Sequence, residues 1–116
     1  MGTKINLPEF IYLSHYRIKI VQINSHLSYE CAEQQGSFHS RDMTIYVDEN
    51  IIADGGTIAV DLVKHELLHA VWYIRQFGNL KTSESEEDIV NGMATHYTEI
   101  EKNNPDYVKW KLNNLN

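Results

Sequence analysis

The sequence predicts an α+β domain in which a small, mostly antiparallel sheet of about three strands packs against two main helices. Two patterns carry that expectation. Between Tyr16 and Asn24, and again between Met43 and Val47, apolar and polar residues nearly alternate and β-branched residues are frequent, as in a half-buried strand. From about Thr57 to Phe77 and from about Glu86 to Lys102, apolar residues instead recur every three or four positions, the period of an amphipathic helix. A chain of 116 residues is long enough for one core and too short for two, so residues 1–116 are read as a single domain.

Taken in order, Phe10 to Leu13 form an apolar run too short to separate a strand from buried coil. In the first clear strand Tyr16, Ile18, Ile20 and Gln22 share one side, with Arg17, Lys19, Val21 and Ile23 on the other. Residues 25–40 signal less: Tyr29 and Phe38 are anchors for a short strand, and Gly36 marks a turn or bulge. Asp48-Glu49-Asn50 ends the 43–47 strand. A loop through Asp54-Gly55-Gly56 then leads to the first long helix, with Asp54 or Thr57 as N-cap. That helix carries one stripe of Val63, Leu67, Ala70, Ile74 and Phe77, and beside it a second of Ile58, Leu62, His65, His69 and Trp72. Gly78-Asn79 stops it. In the acidic run that follows, Ser83 with Glu86 makes a capping box for a helix whose buried face is Ile89, Val90, Met93, Ala94, Tyr97 and Ile100. Asn104-Pro105 opens a last short helix, with Val108, Lys111, Leu112 and Leu115 on one side and Tyr107 and Trp110 helping to dock it.

Composition narrows the function classes. With 42% hydrophobic and 22% charged residues the chain reads as globular, and a net charge of −6 argues against a basic nucleic-acid surface. No run approaches the 18 or so apolar residues of a membrane span. Met1 to Pro8 resembles no signal peptide, and Asn6 leaves a myristoylation pattern at Gly2 incomplete. The single cysteine, Cys31, excludes an internal disulfide and suits a reducing compartment, so a cytoplasmic location is expected.

The chemistry gathers at His65-Glu66-Leu67-Leu68-His69. On a helix, His65 and His69 lie about 40° apart and about 6 Å along the axis, which lets both imidazoles converge on one metal ion. Glu66 lies about 100° round from His65, within reach of a water on that metal without being a ligand. The second stripe places both histidines on a face that periodicity reads as largely buried, where an unpaired imidazole pair would be costly. Two neutral nitrogens leave Zn²⁺ short of its tetrahedral set, so a third protein ligand and a water are expected. The metal acidifies the water, Glu66 takes its proton, and a polarised carbonyl is attacked. The third ligand should come from a second helix. Glu87, 18 residues beyond His69, shares a face with Val90, Asn91 and Ala94, whereas Glu86 points with Ile89 and Met93. His96 and Glu84 are further candidates, and periodicity alone does not choose.

The stretch DLVKHELLHAVWYIRQFG followed by SEEDIVNGMATHY resembles the small phage-type zincins of the gluzincin clan and, more distantly, the metallopeptidase domain of the ImmA/IrrE proteins. The likeness spans about residues 16–101. It implies a minimal zincin-like domain with His65 and His69 as zinc ligands, Glu66 as general base and Glu87 as third ligand, with Asn91 four positions on and Ala94 as the small residue beyond. It also implies that strand 43–47 is the edge along which a peptide lies, and a cytoplasmic phage or prophage protein in a bacterial host. No helix-turn-helix segment accompanies the motif, which counts against a repressor-cleaving role for this chain by itself. Asp61, one turn before His65, and Asn91 are candidates to orient the ligand histidines. Tyr97, Tyr73 and His39 are candidates to stabilise an oxyanion.

The expected function is thus a zinc-dependent peptidase acting on a peptide or protein, with neither nucleic acid nor membrane as partner. The alternative is a zinc-bearing regulatory or protein-binding module with little hydrolytic activity. An intact Glu66 favours the enzyme, since a structural site would close with four ligands. A di-iron bundle is disfavoured, because a second Glu-x-x-His pair is missing: His96-Tyr97-Thr98-Glu99 runs in the reverse order.

Overall fold

The alternating stretch at 16–23 becomes the long strand on which the sheet is assembled. The computed structural model describes residues 5–24, 36–78 and 86–116. Within them β1 (Phe10–Leu13), β2 (Tyr16–Ile23), β3 (Gly36–His39) and β4 (Thr44–Asp48) form one sheet in the order β1-β2-β4-β3. β1 and β2 are an antiparallel hairpin with Phe10 opposite Lys19 and Leu13 opposite Tyr16. β2 and β4 run parallel, with Ile20 opposite Ile45, and β3 returns antiparallel to β4, with Phe38 opposite Ile45. The domain is α+β as expected, but the sheet has four strands, because the short 10–13 run also pairs.

One expectation about the sheet is corrected. β4 is not an edge; it is flanked by β2 and β3, and the strand at that end of the sheet is β3. Alternation reveals which face of a strand is buried but not how many neighbours it has. A parallel pair also requires a long connection, and β3 lies within the one that joins β2 to β4.

A short helix, α1 (Glu49–Asp54), stands where a loop was expected. Asp48 accepts hydrogen bonds from the backbone N–H groups of Asn50 (2.8 Å) and Ile51 (3.4 Å), an N-cap that starts a helix directly off the strand. Gly55 ends it at φ 71°, donating its N–H to the Ile51 carbonyl at 3.0 Å. The long helix α2 (Gly56–Gly78) begins at once. Neither Asp54 nor Thr57 supplies its first acceptor. Asn114 does: its Oδ1 takes the Gly56 N–H at 3.0 Å while its Nδ2 donates to the Trp110 carbonyl at 2.9 Å. A Cβ at position 55 would lie 2.6 Å from that Oδ1, so glycine serves both the left-handed φ and the close approach.

Helices α3 (Glu86–Asn103) and α4 (Pro105–Leu115) complete the chain. Ile11, Leu13, Ile18, Ile20, Ile45 and Val47 from the sheet meet Val63, Leu67, Ala70 and Val71 of α2 in one core, with Ile100, Tyr107 and Trp110 joining from α3 and α4. The Tyr97 and Tyr107 hydroxyls bond at 2.6 Å, the Tyr107 ring stacks on Trp110, and Lys111 pairs with Glu101. Burial and the Tyr97 hydroxyl push the Tyr107 phenol well above the usual tyrosine range.

Three helix faces differ from expectation. The first stripe of α2 is buried at Val63, Leu67, Ala70 and Ile74, but in the second only Leu62 is; Ile58, His65, His69 and Trp72 are exposed. On α3, Val90 and Ala94 are exposed, and full burial comes only at Ile100. On α4, Leu112 and Leu115 are exposed, and Tyr107 and Trp110 form the docking face. In each case the sequence carries a wider apolar arc than the neighbouring elements cover. The Phe77 side chain, Ser83, Tyr29 and Cys31 lie outside the described residues. Among the described residues no helix is long and apolar enough to cross a membrane.

The two ends of the sheet are treated differently. Along β1 the buried Asn104 side chain acts as a strand substitute: its Oδ1 accepts from Tyr12 N–H at 2.7 Å and its Nδ2 donates to the Tyr12 carbonyl at 2.7 Å and the Ile100 carbonyl at 2.8 Å. Ser14 N–H is taken by Glu99 at 2.7 Å. β3 at the other end has no strand beyond it among the described residues. Asn104→Ala strands three backbone partners in a buried joint and is expected to lower unfolding free energy by about 2–4 kcal/mol. Urea denaturation reads this directly, and a loss below about 0.5 kcal/mol would show that the edge does not depend on Asn104.

Candidate functional site

The predicted motif forms on α2, and its two imidazoles converge. His65 Nε2 and His69 Nε2 lie 3.2 Å apart with ring centroids separated by 4.8 Å. At that distance either nitrogen is able to donate to the other, according to the tautomer. Two zinc–nitrogen bonds of about 2.0–2.1 Å at a tetrahedral angle need nitrogens about 3.3 Å apart, so the pair fits one such ion with little movement.

Between them in sequence, Glu66 points the other way round the helix, toward the sheet. Its residue is 4% exposed, whereas both histidines are open to solvent. No described residue donates a hydrogen bond to its carboxylate. Burial raises its pKa, and the adjacent His65 and His69 pull it in the opposite direction; burial is the larger effect.

What buries Glu66 is Gly36. This residue faces α2 from the first position of β3, and a Cβ there would lie 3.0 Å from Leu62 Cδ1, 3.0 Å from the Tyr46 carbonyl oxygen and 3.1 Å from Glu66 Oε2. Glycine is neither a turn nor a bulge at this point; it lets an edge strand pass within contact of the carboxylate. Its site role was missed because an isolated glycine in a weakly patterned segment signals only a local irregularity. Farther along, Phe38 packs edge-on against Tyr73 with centroids 6.1 Å apart, so β3 follows α2 over two turns.

Helix and strand together bound a cleft of about 980 Å³. His65, Glu66 and His69 lie along it, Thr57, Ile58 and Asp61 line the end toward the start of α2, and Phe38, Ser40 and Tyr73 line the remainder. A second hollow of about 450 Å³, almost wholly apolar, adjoins the histidines on their other side between Leu68, Trp72 and Met93. The pair thus stands on a ridge between a mixed cleft and an apolar hollow.

The remaining candidates fall as follows. Glu86 and Glu87 are both exposed in the first turn of α3, and Asn91 is exposed as well. The α3 line of Ile89 and Met93 is half buried and continues Glu86, whereas the line of Glu87, Val90 and Ala94 is exposed. His96 donates or accepts through Nδ1 at the Gly92 carbonyl, 2.8 Å away. Among the described residues no group of three His, Cys, Asp or Glu side chains is gathered as a metal site; Glu84 lies outside those residues. Asp61 borders the cleft but is not hydrogen-bonded to His65. Of the oxyanion candidates only Tyr73 lines the cleft: Tyr97 is tied to Tyr107, and His39 lies 3.2 Å from the Ser37 hydroxyl and against the Tyr46 ring. Comparison of the chain with protein-family models, curated proteins and solved structures returns no match.

Two outcomes follow. Gly36→Ala forces a methyl group against Glu66, Leu62 and the Tyr46 carbonyl, and is expected to cost about 1–3 kcal/mol in chemical denaturation. For Glu66, a folded-state pKa raised above its ordinary 4.5 means that the fold holds the proton more tightly than the unfolded chain does. Its contribution is fully present below about pH 4.5 and is lost as pH rises through the folded-state value. In chelator-treated protein, Glu66→Gln should therefore be more stable than wild type at pH 7.5, with the gap closing toward pH 4. Thermal melts at the two pH values measure it.

Proposed function

We propose that this chain is a zinc-dependent peptidase. The observation that carries the reading is the pair of imidazole nitrogens 3.2 Å apart beside a buried carboxylate, at the side of a cleft bounded by an edge strand. His65 and His69 hold the ion, and Glu87 completes the protein ligand set by the resemblance of its helix to the gluzincin pattern. Bound there, zinc would supply a Lewis acid that polarises a peptide carbonyl and acidifies water.

The chain's own residues do the rest. Glu66 accepts the proton of the attacking water at its carboxylate and returns it to the leaving amine. Burial serves both halves of that task, because a pKa raised toward neutrality makes the carboxylate a better base while leaving its acid able to donate. The outer edge of β3 offers backbone N–H and C=O groups to an extended peptide, which fixes the scissile bond by strand addition rather than by side chains alone. Tyr73 is the oxyanion candidate that lines the cleft. Ile58 and Trp72, 67% and 41% exposed, favour a second reading in which the ridge docks a protein and hydrolysis is slight.

Metal content separates these. Wild type purified without added metal should carry about one zinc per chain, the load of a single site built on His65 and His69. His65→Ala should lose it, and Glu87→Ala should lose it while Glu86→Ala does not. Glu66→Gln should keep its zinc and cleave peptides about 10²–10⁴-fold more slowly. Zinc bound normally with every biological effect retained in Glu66→Gln would favour the binding module. No zinc in wild type after zinc is supplied would overturn both readings.

A further inference from the structure

The cleft beside the histidines is electrostatically one-sided. Asp61 and Glu66 line it, and no described lysine or arginine does. The two bases of α2 are engaged elsewhere: Lys64 lies 5.1 Å from the centroid of the Tyr97 ring, and the Arg75 guanidinium rests against Gly92 with Nη2 donating to the Asp88 carbonyl at 3.4 Å. Glu66 is more than nine-tenths buried, borders the cleft and takes no hydrogen bond from a described residue. Asp61 is exposed at the lip, one helical turn before His65, and its carboxylate takes none either. The Asp61 carboxylate at the lip, with no described lysine or arginine lining the cleft, makes that end of it negative.

The direction of β3 sets where that field acts. Gly36 abuts Leu62 and Glu66 while Phe38 meets Tyr73, so β3 and α2 advance in the same sense. Asp61, next to Leu62, therefore lies near the N-terminal end of β3, about 6 Å along the helix from His65. A strand laid on β3 advances about 3.3 Å per residue, so a residue two positions from the reacting bond reaches the level of Asp61 on the same face. Resting on the peptidase reading, we propose that the cleft selects peptides bearing lysine or arginine two residues from the cleaved bond, and that Asp61 is the specificity-determining residue that recognises that side chain. A lysine or arginine reaching the lip donates to the Asp61 carboxylate in a charge-assisted pair, while an acidic residue there is repelled by it.

The test uses zinc-supplied full-length protein and a set of fluorogenic peptides identical except for Lys, Arg, Gln or Glu at that position, with binding of the same peptides to Glu66→Gln followed by anisotropy. Zinc content of Asp61→Asn and Asp61→Lys is measured alongside. The expected result is a preference for Lys and Arg over Glu of about tenfold in kcat/KM, shrinking with salt, lost in Asp61→Asn and reversed in Asp61→Lys with zinc retained. Cleavage without charge preference, or with a preference that Asp61→Asn leaves unchanged, overturns the assignment and leaves the peptidase reading standing. Loss of zinc in Asp61→Asn would make Asp61 a support for His65 and overturn it likewise. Basic peptides bound but never cleaved, with binding lost in Asp61→Lys, would uphold the charge selection while the peptidase reading fails. Neither binding nor cleavage of any peptide overturns the selection.

Discussion

Helix α2 is covered by the sheet along one stripe and left open along the next, and the cleft, the histidine pair and the buried Glu66 all follow from that partial cover. Val63, Leu67 and Ala70 are sealed against the sheet. Nearly on the opposite side of the helix His65 and His69 face solvent, and Glu66, which lies between the two stripes, falls toward the sheet. One helix thus presents two imidazoles to solvent and withdraws a carboxylate from it within a single turn. The contrast is chemically useful: imidazole nitrogens need access to an ion, whereas a base gains from an environment that disfavours its charge.

The position of α2 is secured from outside the helix. Its first N–H is held by Asn114, 58 residues away in sequence, and Gly55 has no side chain to obstruct that contact. Its contact with β3 is secured by a second missing side chain, at Gly36. The sheet is asymmetric in the same spirit. Asn104 occupies the hydrogen-bonding edge of β1, where an open strand would invite unwanted pairing, while β3 beside the cleft has no further strand among the described residues.

Local chemistry was legible wherever one element decided it. The HELLH spacing alone brings two imidazoles together, because a helix repeats its geometry whatever surrounds it, and the pair indeed meets at 3.2 Å. The alternation around Ile18, Ile20 and Ile45 marked residues that are buried. The misjudged features depend on neighbours. The apolar stripe of Ile58 and Trp72 reads like core, yet both residues are exposed; Leu112 and Leu115 mislead in the same way, since periodicity records what could be buried rather than what is covered.

By itself, then, the sequence determined the α+β class, the 3.6-residue geometry that pairs His65 with His69, and the acidic balance of the chain. Only the tertiary structure decided which strand is the edge, which carboxylate is buried, and that Gly36 rather than any side chain shapes the floor beside Glu66. The physical reason is one of range. Helical spacing is set by backbone hydrogen bonds four residues apart, whereas burial and strand order are set by contacts between residues tens of positions apart, which no local period encodes.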